Sequence, residues 1–259
     1  MRIALLQSGG TPGDVDANLG AVERAAGDAA RAGARLLICP ETFLTGYHIG
    51  AGALARLAQP ADGPAVSALA RIAAGAGIAI VCGYPERDGD AVYNAAVLVE
   101  RDGSTLASYR KAHLFGSIDR DAFRAGDEPA LATLDGVRVG LLVCYDIEFP
   151  EAARALAVAG AELIAVPTSL MAGAEHVAEL LVPARAAENQ VFVAYANRVG
   201  REGELVYVGR SCVAGPDGAR TVAGPGETLL LADLDLGAIA RSRSAQSYLD
   251  DRRPSLYAE

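Results

Sequence analysis

The sequence predicts an α/β fold with one mixed sheet or two, and three observations carry that reading. Short apolar, β-branched runs alternate with alanine-rich runs of helical length. Turn signals such as Asp102-Gly103 and Pro216-Asp217-Gly218 add hairpins to the alternation. The 259 residues are 51% hydrophobic and 21% charged, which suits a sizeable core. No low-complexity linker interrupts them, so one domain over 1–259 is expected.

The elements follow in order. Residues 2–7 read as a strand, and Asp14 or Asp16 caps a helix to about Ala32, with Gly33 as its stop. Residues 34–39 form an apolar strand ending at Pro40-Glu41, and Gly63-Pro64 opens a helix to about Ala74. Strands are expected over 78–84, 91–100 and 105–110, with a polar turn over 86–90. The charged segment 113–129 reads as a long loop, the kind that often carries function. A strand over 137–143 then delivers Cys144, followed by a helix over 150–159. Further strands are expected over 162–166, 191–197, 210–214 and 228–233, and helices over 175–189 and 234–242. The polar, aromatic tail YLDDRRPSLY either folds back or crosses to a partner. The two halves share only a loose rhythm of strand, helix and strand.

Composition excludes several functions. The net charge is −9 and the 23 Lys and Arg are scattered, so no nucleic-acid partner is expected. No uninterrupted apolar run reaches the ~18 residues of a membrane span. The start MRIALLQSGG is too soon polar for a signal peptide, so a cytoplasmic protein is expected. Cys39, Cys82, Cys144 and Cys212 show no paired spacing, and His48, His113 and His176 show no ligand spacing, so neither metal nor redox motif is read. Cys39, Cys82 and Cys212 are read as core thiols.

Three stretches end a strand with a reactive group: Glu41 in ICPETFLTGY, Lys111 in SYRKAHLFG and Cys144 in GLLVCYDIEFPE. Taken singly, each is as compatible with a loop charge or a buried thiol. Together they supply a base, an electrophile and a nucleophile with no histidine required.

PETFLTGY, YRKAHLF and CYDIEFPE, in that order and spacing, resemble the three catalytic motifs of the nitrilase superfamily of carbon–nitrogen hydrolases. The resemblance runs from RIALLQ through ARAAENQVFVAYANRVG. It implies a four-layer αββα sandwich with two mixed sheets and a catalytic triad of Glu41, Lys111 and Cys144. It implies a thioester mechanism, with Lys111 and the Tyr145 backbone N–H at the oxyanion, and no cofactor. It also implies a homodimer or larger homo-oligomer.

One departure stands out. Many members carry a second glutamate after the lysine, where this chain reads HLFGSIDRDAF. Asp119 is the candidate replacement and Asp121 the runner-up; the alternative for Asp119 is pairing with Arg120 or Arg124. His113 offers a rival cysteine–histidine reading. Tyr47 and Ser169 are candidate pocket residues, with packing the alternative. Glu148 is a candidate for binding a cationic group, or else pairs with an arginine such as Arg154. Arg185, Glu188 and Asn189 look like a structural helix-end motif, and Arg210 like a solvated charge. Cys144-Tyr145-Asp146 resembles the amidase branches, and the combined pattern the 5-aminopentanamidase-like ones. The expected reaction is hydrolysis of a small aliphatic amide, with an ω-amino amide included. A nitrilase or N-carbamoyl-amine hydrolase is the alternative, and a catalytically silent binding subunit the distant one.

Overall fold

The computed structural model describes residues 1–257; the last two residues of the expected 1–259 domain lie outside the described residues. The chain opens with β1 (Arg2–Gln7), α1 (Val15–Arg31), β2 (Leu36–Ile38), α2 (Ala51–Leu57), α3 (Pro64–Ala76) and β3 (Ala79–Asp88). β4 (Ala91–Val99) and β5 (Thr105–Arg110) lead to α4 (Gly116–Arg120). The second half runs β6 (Ala130–Leu134), β7 (Val137–Leu141), α5 (Pro150–Val158), β8 (Leu163–Pro167), α6 (Val182–Asn189) and β9 (Phe192–Ala196). It closes with β10 (Val199–Glu202), β11 (Leu205–Val208), β12 (Cys212–Ala214), β13 (Arg220–Val222), β14 (Thr228–Asp233) and α7 (Gly237–Ala245).

Two six-stranded mixed sheets result, ordered β14-β1-β2-β3-β4-β5 and β13-β12-β9-β8-β7-β6. Each has three parallel central strands, β1-β2-β3 and β7-β8-β9, flanked by antiparallel ones. The loose rhythm of the two halves is this shared plan. Period-two alternation then builds the layers. Ile3, Leu5, Leu36, Ile38 and Val81 face the other sheet and share one core with Val139, Leu141, Leu163 and Ala165. Ala4, Leu37 and Ile80 point the other way, against Val22 and Ala26 of α1 and Val66 and Leu69 of α3. Leu156 of α5 and Val182 and Ala186 of α6 pack with the second sheet. The result is the αββα sandwich.

Several expectations need correction. β3 runs on to Asp88, because Asp88 pairs with Ala91 across a two-residue turn whose Gly89 has φ +56°. β7 stops at Leu141 rather than 143, because the Val143 N–H turns to the Asp146 side chain. The loop over 113–129 contains α4. The helix over 175–189 begins with a π-turn, Val177–Leu181, before α6; Pro183 has no N–H with which to continue a regular ladder. α2, β6, the β10–β11 hairpin and β13 are absent from the sequence reading; all are short. Arg210 has φ +58° and lies outside β12. The tail folds back, with Tyr248 and Tyr257 flanking a cleft beside Arg154 and Glu188.

The sandwich gathers strand ends. Glu41 follows β2, Lys111 follows β5, Cys144 follows β7 and Ser169 follows β8. The Glu41 N–H donates to the Thr168 carbonyl at 3.4 Å, joining the two sheets at this point. Gly83 on β3 makes room for the Glu41 turn: an added Cβ would lie 2.5 Å from the Thr42 nitrogen and 2.7 Å from the Glu41 Cα. Both contacts are to backbone, which cannot rotate away. Gly83→Ala is therefore expected to cost about 1–3 kcal/mol of stability by overpacking, measured by urea unfolding. Unchanged stability would mean the turn yields freely.

Candidate active site

Lys111 is fully buried, and its ammonium is held by two carboxylates. Nζ donates to Glu41 Oε1 at 2.7 Å and to Asp119 Oδ2 at 2.6 Å. Burial pulls the Lys111 pKa down, but the charges of Glu41 and Asp119 outweigh it and hold the pKa above its ordinary value. Lys111 is thus a fixed cation.

Glu41 divides its two oxygens. Oε1 accepts from Lys111 and, at 2.7 Å, from Asn94 Nδ2. Oε2 is buried with no hydrogen-bond partner. Burial, more than anything else, raises the Glu41 pKa, against the pull of Lys111. A carboxylate so placed is a stronger base than one in water, with one oxygen free to act.

Cys144 has φ +48°, a strained value for a residue with a side chain. It opens a 3-10 turn, Cys144–Glu148, directly after the strand. The thiol is pushed up by burial and by the Glu41 charge, against the pull of Lys111. The resting sulfur is therefore protonated and needs a base. The hydroxyls of Thr168, Ser169 and Tyr195 around it are buried without partners.

Asp119, fully buried on α4, is saturated. Oδ2 accepts from Lys111 and from the Phe115 N–H at 2.9 Å, and Oδ1 from the Tyr47 hydroxyl at 2.9 Å. It pairs with neither Arg120 nor Arg124; the short helix turns it inward instead. Tyr47 is 2% exposed, and burial keeps its phenol protonated as the donor. Asp121 is exposed at the end of α4.

His113 does not join this group. Its Nδ1 lies 2.7 Å from Asp146 Oδ1 and its ring stacks on Phe149 at 3.9 Å. The strand ends at Arg110, so the alternation that would have put His113 beside Lys111 no longer applies. Buried Asp146 also accepts from the Val143 N–H and the Tyr109 hydroxyl, both at 3.0 Å, and from the His113 N–H at 2.9 Å. It clamps the turn that presents Cys144. Arg185 of α6 braces the far end of that turn by donating to the Ile147 and Glu148 carbonyls. Glu148 is half-buried; its carboxylate makes no ion pair or hydrogen bond among the described residues, with Arg154 or otherwise. Arg210 pairs with Glu179. Cys39, Cys82 and Cys212 are buried, as expected.

The geometry adds Asn94, Asp146, Arg198 and Glu202 to the residues read from sequence. Asn94 was recoverable: in the β4–β5 hairpin Ala95 pairs with Arg110, which places Asn94 opposite Lys111. No group of metal-binding side chains is present among the described residues. Nor is any helix among them long and apolar enough to cross a membrane.

The sequence profile described as carbon-nitrogen hydrolase matches residues 2–244. The chain belongs to the carbon–nitrogen hydrolase family. Membership makes it a thiol-dependent hydrolase of carbon–nitrogen bonds in the nitrilase superfamily. A Pseudomonas protegens chain described as a hydrolase in the pqqF 5' region is 49% identical, over 99% of this chain and 90% of that one. An (R)-stereoselective amidase of a Pseudomonas species is 39% identical, over 100% and 94%. Among solved structures, an amidase of Nesterenkonia sp. AN1 is 38% identical with TM-score 0.87, covering 99% of this chain and 98% of that one. A glutamate-to-glutamine mutant of that amidase has been seen with acrylamide, and with the acetamide moiety of fluoroacetamide, added to its active-site cysteine.

The His113–Asp146 contact has a pH signature. The His113 pKa is raised above 6.5, first by its hydrogen bond to Asp146. A raised folded pKa stabilises fully below the unfolded value, and the effect is lost as pH rises through the folded value. Wild type should therefore exceed His113→Gln in stability by more at about pH 5.5 than at about pH 9. Urea unfolding at the two pH values checks this; a gap that grew with pH would contradict the pairing.

Proposed function

We propose that this enzyme hydrolyses small aliphatic amides, ω-amino amides included, to carboxylate and ammonia through a thioester on Cys144. The observation that carries the reading is the divided Glu41 carboxylate, one oxygen fixed by Lys111 and Asn94 and the other free. The amidases among its relatives support the amide substrate.

Glu41 Oε2 takes the thiol proton as Sγ bonds to the amide carbon. The oxyanion that forms is met by Lys111 Nζ and the Tyr145 N–H, one of the first amides of the 3-10 turn, which lack partners within it. Glu41 returns the proton to the nitrogen as the C–N bond breaks and ammonia leaves. Water then attacks the thioester and gives its proton to Glu41. The C–S bond breaks, the carboxylic acid is released and the thiol is restored.

Asp119 stands where the second glutamate is missing. With both oxygens occupied it does not take a proton; it holds Lys111 against Glu41 and the developing oxyanion. Removing an oxyanion donor costs about 10²–10³-fold in turnover, so Lys111→Ala is expected to lose at least that. Asp119→Asn should lose about tenfold or more, while Asp121→Asn stays near wild type. Ammonia release, with Cys144→Ala as the blank, measures all three. A near-normal Lys111→Ala overturns the oxyanion role, and equal Asp119 and Asp121 variants the positioning one. The same assay over nitriles and N-carbamoyl amines tests the amide preference itself.

Tyr47 is assigned to holding Asp119 rather than to substrate, and Ser169 to the pocket wall beside the sulfur. Glu148 lies within electrostatic reach of Lys111 and Tyr195, and supports recognition of a substrate ammonium. Glu148→Gln is then expected to raise KM for 5-aminopentanamide by about tenfold, one lost charge-assisted contact, and to leave pentanamide unchanged. Equal effects on both amides would remove this role.

A further inference from the structure

Arg198 and Glu202 form a buried ion pair at 3.1 Å, the arginine 1% and the glutamate 4% exposed. Neither touches the sulfur or Lys111 by any recorded contact. Most of their partners are backbone groups of residues 41–48, joined by the Gly9 carbonyl and the Tyr207 hydroxyl. The guanidinium donates to the Glu41 carbonyl from Nε at 3.2 Å and Nη2 at 3.1 Å, to the Thr42 carbonyl at 2.9 Å and to the Gly9 carbonyl at 2.8 Å. The Glu202 carboxylate accepts from the Tyr47 N–H at 2.9 Å, the His48 N–H at 2.6 Å and the Tyr207 hydroxyl at 2.7 Å.

The two charges thus grip opposite ends of residues 41–47. Glu41 lies at one end. At the other, Tyr47 sends its hydroxyl to Asp119. Between them Thr42 has φ +42°, which a β-branched residue holds only when its surroundings fix it. Gly46 has φ +92°, and a Cβ there would meet Glu202 Oε1 at 2.9 Å. Well-packed apolar residues would serve stability as well as a buried ion pair does. They would not satisfy the two carbonyls and two N–H groups of this irregular segment, nor the Gly9 carbonyl beside it.

We propose that Arg198 and Glu202 are a positioning pair that sets Glu41 directly, and Asp119 through Tyr47, as one unit. This rests on Glu41 being the base. The pair acts on the orientation of proton transfer, so it governs kcat and not substrate affinity.

The test compares full-length Glu202→Gln and Tyr207→Phe with wild type and with Glu41→Gln, by ammonia release from a short aliphatic amide, alkylation of Cys144 by iodoacetamide, and thermal unfolding. Glu202→Gln keeps the shape but turns one acceptor into a donor facing other donors. It is expected to lower kcat by about 10- to 100-fold, the scale of a small misplacement. KM should stay within about threefold, and alkylation should slow with kcat. Tyr207→Phe removes one bond only; it should lower kcat by about 3- to 10-fold and still melt cooperatively. If Glu202→Gln does not fold, Tyr207→Phe decides. Wild-type kcat and alkylation in a folded variant, or a rise in KM alone, overturns the proposal whatever happens to the melting temperature. An active Glu41→Gln fails the base assignment instead. An inactive Glu41→Gln beside a fully active Tyr207→Phe overturns the positioning role alone.

Discussion

An ammonium sealed from water has to be met by charge, and the Lys111 ammonium is met by two carboxylates from different parts of the chain. That requirement organises the site. Glu41 comes from the turn after β2, Asp119 from α4, and Lys111 from the end of β5. Leaving one such partner uncompensated typically costs about 3–5 kcal/mol. The same contact that fixes the Lys111 ammonium therefore also helps hold α4 and the Glu41 turn in place. Stability and chemistry meet at one nitrogen.

Around this centre, strain is matched by buried polar groups. Cys144 has φ +48°, and the carboxylate of Asp146 grips the N–H groups of Val143 and His113 beside it. Thr42 has φ +42°, and Arg198 holds its carbonyl and that of Glu41. Each special backbone value has a charged side chain to over-determine it. Cys144 and Glu41 are thus presented by separate clamps, one from the turn after β7 and one from the segment that follows β9.

The sandwich was legible in the sequence where periodicity or turn chemistry was strong. Asp14 and Gly33 bound α1 as read, and Asp102-Gly103 closes the β4–β5 hairpin. Glu41, Lys111 and Cys144 were legible because each ends a strand within one of three ordered motifs that resemble those of the nitrilase superfamily. What escaped has physical reasons. α4 is five residues long, too short for a helical period, yet it decides that Asp119 points inward. His113 looked close to Lys111 in sequence, but the strand ends between them. Arg198 just precedes β10 and Glu202 ends it, and nothing local shows that their partners at Glu41 and Tyr47 lie about 150 residues away. Asn94 was hidden only because the hairpin register was not followed across to Lys111.

The joining of the two sheets has a mechanical consequence. Glu41 hangs from β2 of one sheet and Cys144 from β7 of the other, with the Glu41–Thr168 contact bridging the seam. The spacing between them is therefore set by the thickness of the apolar layer made by residues such as Leu36, Ile38, Val139 and Leu141. That layer works as a spacer of fixed gauge as well as a source of stability. A methyl group lost from it, well away from either side chain, changes the separation of Glu41 from Cys144.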